Sequence, residues 1–418
     1  MARQRRRLPR SLTAEPVRER VDRFRATTAG VQFFRFGPYA LLPLLGAAAA
    51  MSPALLSTRL TFLLILVAAY MMMRVVDNIY GVVVLAIALA LLPTAMDGFE
   101  RNIMFNVALY TLLGIGLNVV VGYAGLLDLG YVAFFAAGAY LYALVVAPDA
   151  GSSEWAQNWE LGITFWPVLP LALVVAALIG VALGVPVLRL RGDYLAIVTL
   201  GFGEIIRIMA NNEDYYTSGP RGLFLLPKPP FFGRELDTAQ ELYFVVLVVA
   251  FVAVFAAERI RDSRVGRAWE AIREDEDVAS SMGIDTTIYK LLAFAIGAAI
   301  GGVGGVIVAA KQGSVFPTDF NLDVSINVLA LVIIGGMGNV RGILLGALLV
   351  VGLPDVLRDF NLDLGFVTFQ NVGADYRLVI FGAALVAVMV LRPEGLLPSR
   401  RRAAEFREAE LLEQEYAT

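Results

Sequence analysis

Long apolar segments recur along the whole chain, and they constrain the fold more than any other feature of the sequence. The segments lie at 38–57, 60–73, 79–96, 102–122, 131–147, 166–188, 195–210, 241–258, 291–310, 325–338, 342–357 and 377–392. A helix needs about 20 apolar residues to cross a bilayer. Hydrophobic residues make up 58% of the 418 residues. The sequence therefore predicts an all-α, polytopic integral membrane protein with about ten to twelve transmembrane helices, since 60–73 and 325–338 are short for a full crossing.

Positive charges fall in three regions that predict the orientation in the membrane. Ten arginines lie in 1–36, and further clusters lie in 259–290 and 392–407. Lys and Arg close to transmembrane segments stay on the cytoplasmic side. With these regions inside, the segments alternate correctly, so we expect a multi-pass protein of the inner or plasma membrane, embedded in lipid, with both termini cytoplasmic. The loop at 148–165 has no Lys or Arg and then faces outward.

The same pattern divides the chain into four regions. These are a basic cytoplasmic segment at 1–36, an additional N-terminal transmembrane region at 37–78, a membrane core at 79–398 with a charged cytoplasmic loop at 259–290, and a cytoplasmic tail at 399–418. In the first region, Val17, Val21 and Phe24 share one helical face, which is typical of an interfacial helix on anionic lipid. A disordered basic tail explains this composition equally well.

The chain contains no His and no Cys, which removes several kinds of chemistry. Disulfides, thiol nucleophiles, imidazole bases and metal sites with Cys or His ligands are excluded. A Gly-Lys-Ser/Thr phosphate-binding motif is also absent, because Lys228, Lys290 and Lys311 follow Pro, Tyr and Ala. We therefore predict no catalytic residue, no metal, no cofactor bound by this chain and no nucleic-acid partner, and we expect any ATP hydrolysis to occur on another polypeptide.

Small residues recur at every fourth position in several apolar segments. The longest stripe consists of Ala293, Gly297, Gly301, Gly305 and Ala309. Such stripes let transmembrane helices approach closely, so we expect helix contacts there. Glycine-rich sequence also predicts helix breaks at 122–130 and 335–339. Breaks at membrane depth are tolerated mainly around a buried site or an aqueous path.

Few charges lie within or near the apolar segments. Glu204 and Arg207 are three residues apart, so they share a helix face and can form an intramembrane ion pair. This pair either stabilises the fold or belongs to a transport path. We interpret Asp128, Arg191 and Asp193 as interfacial loop residues.

The charged cytoplasmic loop contains an amphipathic pattern. Trp269, Ile272, Val278 and Met282 form an apolar edge on a segment otherwise rich in charge. A short helix of this kind suits docking into a partner's groove. A solvated loop helix without a partner explains the pattern about equally well.

Five motifs occur in order within residues 79–398. They lie at 116–140, 188–194, 266–272, 335–346 and 392–396. Each motif alone is weak evidence for a protein family, but the order and spacing of the five motifs together are specific to one. Together they resemble the permease subunits of branched-chain amino-acid ABC importers, and the chain is similar to the longer of the two permease types.

The resemblance implies an assembly of several chains. Such importers contain a heterodimer of permeases, two cytoplasmic ATP-binding subunits that use ATP and magnesium, and an extracytoplasmic solute-binding protein. Residues 267–285 would form the loop seated on an ATPase, and the loops at 148–165 and 212–240 would face the binding protein. The candidate ATPase-coupling residues are Gly266, Arg267, Trp269, Glu270, Ala271, Arg273, Glu274, Asp275, Gly283 and Asp285. The candidate translocation-path residues are Asn118, Gly122, Gly125, Gly335, Gly336 and Asn339.

Some positions differ from the commoner family pattern, and they bear on the substrate. Asp128 stands where Ser is frequent, Tyr131 where His is common, and Ser218 where a second Gly is usual. We expect import of branched-chain and other apolar amino acids, but urea and short-chain amide permeases share nearly the same motifs. From another class, a proton-coupled secondary transporter would use Glu204 or Asp128 as its carboxylate.

Overall fold

The computed structural model describes residues 98–146, 163–188 and 193–357. It also describes residues 89, 362–363, 368–369, 382–383, 386, 390 and 395–397. All of these except Leu89 belong to one compact unit, Met96–Thr418. Nearly all of the predicted segments at 38–57, 60–73, 79–96 and 377–392, and the region limits at 36, 78 and 398, lie outside the described residues, so they stay predictions.

Helices account for most of the described residues. The α-helices are α1 (Gly98–Asn118), α2 (Val132–Val146), α3 (Phe165–Val187), α4 (Asp193–Asn212), α5 (Asp214–Thr217), α6 (Ala239–Arg261), α7 (Arg264–Glu274), α8 (Glu276–Ser281), α9 (Thr286–Gln312), α10 (Leu322–Gly335), α11 (Val340–Ala347) and α12 (Leu353–Leu357). Two π-helical segments, Val119–Tyr123 and Leu348–Gly352, continue α1 and α11. Single turns of 3-10 helix lie at Gly219–Arg221 and Pro317–Asp319.

The strands in the described part of the chain are two residues long and lie between helices. They are β1 (Leu223–Phe224), β2 (Pro230–Phe231), β3 (Arg234–Glu235), β4 (Ser314–Val315), β5 (Leu362–Asp363) and β6 (Thr368–Phe369). All pairs are antiparallel: β1 with β4, β2 with β3, and β5 with β6. The β1–β4 pair, with Leu223 opposite Val315, ties the loop after α5 to the end of α9.

Six of the described helices are long and apolar enough to cross a membrane. They span Gly98–Tyr123, Phe165–Val187, Tyr194–Asn212, Ala239–Arg261, Thr286–Gln312 and Pro317–Gly335, and α2 is a shorter apolar helix. The predicted apolar segments between 102 and 357 each coincide with described helices. The prediction of an all-α, multi-pass membrane protein is therefore confirmed, and the total of about ten to twelve crossings stays a prediction.

The helices α1 and α9 form the centre of the described fold. The helix α9 packs along α2 and α3, and α1 packs against α6, α9 and α11. A Cβ atom at Gly297 would lie 3.1 Å from the carbonyl oxygen of Gly116, and one at Gly301 would lie 3.2 Å from the Tyr131 hydroxyl. The predicted stripe thus marks helix contacts, because only small residues let these backbones approach so closely.

Three helices keep a broad apolar face outside the described core. The helices α3, α4 and α6 carry exposed apolar side chains that include Leu178, Ile197, Met209, Val248 and Phe255. A face of this kind is unfavourable in water but matches lipid hydrocarbon or a second membrane subunit. The outer helices are therefore placed as expected for a membrane protein.

Polar residues and glycine set the ends of several helices. At the start of α6, Thr238 Oγ1 accepts from the Glu241 N–H at 3.2 Å, and Glu241 Oε2 accepts from the Thr238 N–H at 3.1 Å. This reciprocal capping box satisfies N–H groups that have no partner within the helix. The helix α9 ends at Gln312, and Gly313 follows it with a φ of +65°, which suits glycine.

Candidate functional site

The first break separates α1 from α2. After Asn118 the helix widens into the π-helical segment, where the Ala124 N–H donates to the Val119 carbonyl at 3.3 Å. Gly125 then has a φ of +72°, a conformation that favours glycine. The predicted break at 122–130 is confirmed. Short π-helical segments of this kind are frequent at functional sites.

The second break separates α10 from α11. The helix α10 ends at Gly335, and Gly336 and Gly338 follow with φ angles of 112° and 80°. Asn339 then begins α11, because its Oδ1 accepts from the Arg341 N–H at 3.1 Å. The predicted break at this position is also confirmed.

The two breaks contact each other in the fold. Asn118 Oδ1 accepts a hydrogen bond from the Gly338 N–H at 2.8 Å, across 220 positions of sequence. A Cβ atom at Gly122 would lie 2.7 Å from the same Gly338 nitrogen. The first break therefore packs directly on the second.

The candidate translocation-path residues lie close together, but they pack against other residues of the described chain. Asn118, Gly122, Gly335 and Gly336 are buried, Asn339 is half-buried and Gly125 is exposed. None of these six residues borders the cavity beside Asp128 that is described below. Their role in lining a translocation path stays a prediction.

The segment at 395–397 is hydrogen-bonded to the second break. The Leu396 and Leu397 N–H groups donate to the carbonyls of Ile334 and Gly335 at 2.8 and 3.0 Å. Asn339 Nδ2 donates to the Leu397 carbonyl at 2.9 Å. The sequence offered this segment only as a motif of resemblance, and its structural role was missed.

The helix α7 packs its apolar face against its own chain. Trp269 is fully buried and its Nε1 donates to the Tyr289 carbonyl at 2.7 Å, while Ile272 is also buried. Val278 and Met282 are instead 58% and 80% exposed. The predicted apolar edge is therefore divided: its first half is buried within the chain, and its second half is exposed.

The edge divides because the helix is interrupted at Asp275. This residue is extended, and its Oδ1 accepts from the Asp277 and Val278 N–H groups at 2.9 Å each, which starts α8. An ion pair between Glu276 and Lys290 then ties α8 to α9. These contacts hold α8 with Ala279 buried and Val278 exposed, and Met282 is exposed directly after the helix.

The candidate coupling residues lie on both sides of α7 and α8. Gly266 and Trp269 are buried, Glu270, Ala271 and Arg273 are half-buried, and Arg267, Glu274, Asp275, Gly283 and Asp285 are exposed. Gly266 is required because a Cβ atom there would overlap the Arg261 carbonyl group. Asp285 starts α9 by accepting from the Ile288 N–H at 3.1 Å. The exposed members therefore present a mainly acidic surface.

Arg273 joins α7 to the first break. Its Nη1 donates to the Gly122 carbonyl oxygen at 2.8 Å. Its aliphatic portion crosses Gly125, where a Cβ atom would lie 2.6 Å from Arg273 Cγ. The candidate coupling residues and the candidate path residues are thus in direct contact, which their sequence positions did not predict.

Glu204 and Arg207 form the expected ion pair on α4. Arg207 Nε donates to the two Glu204 carboxylate oxygens at 3.1 and 3.0 Å. The Arg207 and Glu204 side chains are 32% and 43% exposed, so the pair lies on the open face of α4. A role for the pair in a transport path stays a prediction.

Asp128 lies in the loop between the first break and α2, as expected, but its side chain is buried within the chain. Its Oδ1 accepts from the Gly130 N–H at 2.8 Å, and its Oδ2 has no hydrogen-bond partner among the described residues. The end of the loop at Asp128 and Gly130 is buried because Gly130 packs on the Thr199 carbonyl group of α4. Arg191 and the side chain of Asp193 lie outside the described residues.

A small cavity adjoins Asp128. Its other lining residues are Gly130, Phe134, Leu183, Val187, Thr199, Phe202 and Phe294. The lining is therefore largely apolar. In the described ranges, no cluster of three or more His, Cys, Asp or Glu residues could hold a metal ion.

The loop between α4 and α6 forms a folded projection. Its β2–β3 hairpin is attached to α3, because Trp166 Nε1 donates to the Pro230 carbonyl at 2.6 Å. Phe232 at the turn is 94% exposed. Nearly all of the other predicted outward loop, at 148–165, lies outside the described residues.

Comparison with known proteins identifies the family. The sequence model of the family described as the permease component of branched-chain amino acid transport systems matches residues 101–389. The chain belongs to this family. The match includes both breaks and the helices α7 and α8, so these are features of a permease.

The permease is similar to two proteins named high-affinity branched-chain amino acid transport system permease protein LivM. It is 40% identical to that of Salmonella typhimurium over 348 residues, covering 78% of this chain and 76% of the relative. It is 42% identical to that of Escherichia coli K12 over 316 residues, covering 70% and 68%. The E. coli permease protein LivH is 25% identical over 302 residues, covering 69% and 91%. No solved structure matches the chain.

Proposed function

We propose that this permease is one of two pore-forming subunits of an ATP-driven, binding-protein-dependent importer of branched-chain and other apolar amino acids. The names of the LivM relatives support the substrate class, and the LivH match supports a related second permease as the partner in a heterodimer. Two cytoplasmic ATP-binding subunits would hydrolyse ATP with magnesium, and this chain would bind no cofactor. An extracytoplasmic solute-binding protein would deliver the substrate.

The contact between α7 and the end of α1 carries this proposal. Arg273 donates to the Gly122 carbonyl at the first helix break, while Val278 and Met282 of the neighbouring segment are exposed. An ATPase seated on the exposed residues would therefore lie one contact away from a broken transmembrane helix. The acidic residues around this surface favour a basic groove on the partner.

The proposal also sets the orientation of the chain. The helices α7 and α8 and both termini would be cytoplasmic, because Lys and Arg concentrate on that side. The projection at 212–240 would be outside and would face the solute-binding protein.

The source of energy and the substrate are tested by leucine uptake into membrane vesicles that contain the complete importer. With ATP inside and loaded binding protein outside, we expect uptake that survives a proton uncoupler and is competed by isoleucine and valine. Uptake that an uncoupler abolishes and ATP does not support would indicate a proton-coupled transporter that uses Glu204 or Asp128. Competition by urea or acetamide instead would indicate a urea or amide permease.

A further inference from the structure

Arg273 occupies an unusual position for a charged residue of a cytoplasmic helix. The neighbouring inward-facing residues of α7, Ala268, Trp269 and Ile272, are apolar and buried. Arg273 lies on the same side, is half-buried and reaches the Gly122 carbonyl at 2.8 Å. Its guanidinium group therefore reaches the end of the broken membrane helix.

The end of α1 provides a site that suits a guanidinium group. The last carbonyl groups of a helix lack partners within the helix and form the negative end of its dipole. The Val119 and Val120 carbonyls accept from the Ala124 and Leu126 N–H groups, whereas the Gly122 carbonyl accepts from Arg273. A charge-assisted hydrogen bond of this kind is stronger than one between neutral groups.

The contact continues from Gly122 to the second break. Gly122 packs on the Gly338 nitrogen, and the Gly338 N–H is held by Asn118 Oδ1 at 2.8 Å. Asn339 then bonds to the Leu397 carbonyl at 2.9 Å. Both breaks and the segment at 395–397 thus form one hydrogen-bonded unit, and Arg273 connects this unit to α7.

We propose that Arg273 is a positioning residue that transmits movement of α7 to the two helix breaks and so couples ATP hydrolysis to transport. This inference rests on the proposed function. A buried carbonyl group without a hydrogen-bond partner is unfavourable. Movement of α7 therefore either carries Gly122 along or breaks the bond, and in both cases the packing of the two breaks changes. The helix α7 thus acts on the two breaks through the Arg273–Gly122 hydrogen bond, whereas the Trp269–Tyr289 hydrogen bond joins it to α9.

The test compares Arg273→Gln, Arg273→Lys and Arg264→Gln in the complete importer reconstituted into proteoliposomes. The readout is the number of leucine molecules imported per ATP hydrolysed. We expect Arg273→Gln to lower this ratio about tenfold, a typical size for coupling between sites. Arg273→Lys keeps a charged donor and should restore part of the ratio. Arg264 is exposed at the start of the same helix, so its loss of charge should leave the ratio unchanged.

A purely structural role would lower uptake and hydrolysis together and leave their ratio intact. An assembled Arg273→Gln importer with the wild-type ratio would therefore overturn the inference. ATP-dependent uptake by the unaltered importer tests the proposed function separately, so the two failures are distinguishable.

If the importer with Arg273→Gln does not assemble, a measurement on the unaltered importer tests the proposed role of Arg273. Hydrogen exchange is compared with and without trapped ATP at 264–281 and at 119–126. We expect both segments to change together. A change at 264–281 with none at 119–126 would overturn the inference.

Discussion

Gly125 shows how one absent side chain permits the contact between α7 and α1. Its φ is +72°, and a Cβ atom would lie 2.6 Å from Arg273 Cγ. We expect Gly125→Ala to destabilise the permease by about 1–3 kcal/mol, because the backbone would be strained and Arg273 displaced. Thermal unfolding of the purified protein measures the change.

The matched control for this substitution is Gly201→Ala in α4. A Cβ atom at Gly201 would meet no atom within 4 Å. Alanine favours helices more than glycine, so this variant should be neutral or slightly stabilised. Equal destabilisation by both substitutions would show that the positive φ of Gly125 and its contact with Arg273 do not require glycine.

Trp269 fixes α7 against α9 through its ring and its nitrogen. The side chain is fully buried, and Nε1 donates to the Tyr289 carbonyl at 2.7 Å. Trp269→Phe keeps most of the packing and should cost about 1 kcal/mol for the lost hydrogen bond. Trp269→Ala also leaves a cavity and should cost about 3–5 kcal/mol. Unfolding measurements in which the phenylalanine variant is as unstable as the alanine variant would contradict this description.

At the scale of elements, α8 and the turn after it present the apolar surface available to a partner. Val278 and Met282 are exposed, and the acidic cap of α8 surrounds them. We expect the double substitution Val278→Asp and Met282→Asp to prevent co-purification with the ATP-binding subunits, because it removes the apolar contacts. Ser280→Asp adds a negative charge at an exposed polar position and should preserve co-purification. Retention of the ATPases by the double variant would place their docking surface elsewhere.

The sequence predicted the elements much better than their contacts. Apolar runs identified the transmembrane helices, and glycine identified both breaks, because hydrophobic burial and backbone freedom are local properties. The bond between Asn118 and Gly338 depends on how distant helices pack, and nothing local encodes it. The edge containing Trp269 and Val278 was assigned to one face because the interruption at Asp275 was not recognised.

Charged residues were the hardest to place from sequence. Arg273 was assigned to a partner surface, but it bonds within the chain. Asp128 was assigned to the membrane interface, but it is buried beside Thr199. The environments of these two residues are set by tertiary packing. The same local sequence allows a charged side chain in a loop either to be solvated or to bond to a buried group.

At the scale of the whole molecule, the account requires α8 and the β2–β3 hairpin to lie on opposite sides of the membrane. The chain contains no Cys, so a single introduced thiol is its sole labelling site. In intact cells, we expect an impermeant maleimide to label Phe232→Cys and to leave Met282→Cys unlabelled until the membrane is opened. The reverse pattern would contradict the proposed orientation.

The whole molecule joins the mainly acidic surface of α7 and α8, the half-buried Arg273 and the two helix breaks within one compact unit. This arrangement is the one that the proposed function requires, in which a partner ATPase would act on the permease. The exposed apolar faces of α3, α4 and α6 leave room for lipid and for a second permease.

The most direct test measures leucine accumulation in proteoliposomes that contain this permease with its partner permease and the ATP-binding subunits. The account predicts accumulation against a gradient when both ATP and leucine-loaded binding protein are present, together with faster ATP hydrolysis. Leucine entry that needs neither ATP nor the binding protein, or ATP hydrolysis that imports no leucine, would contradict it.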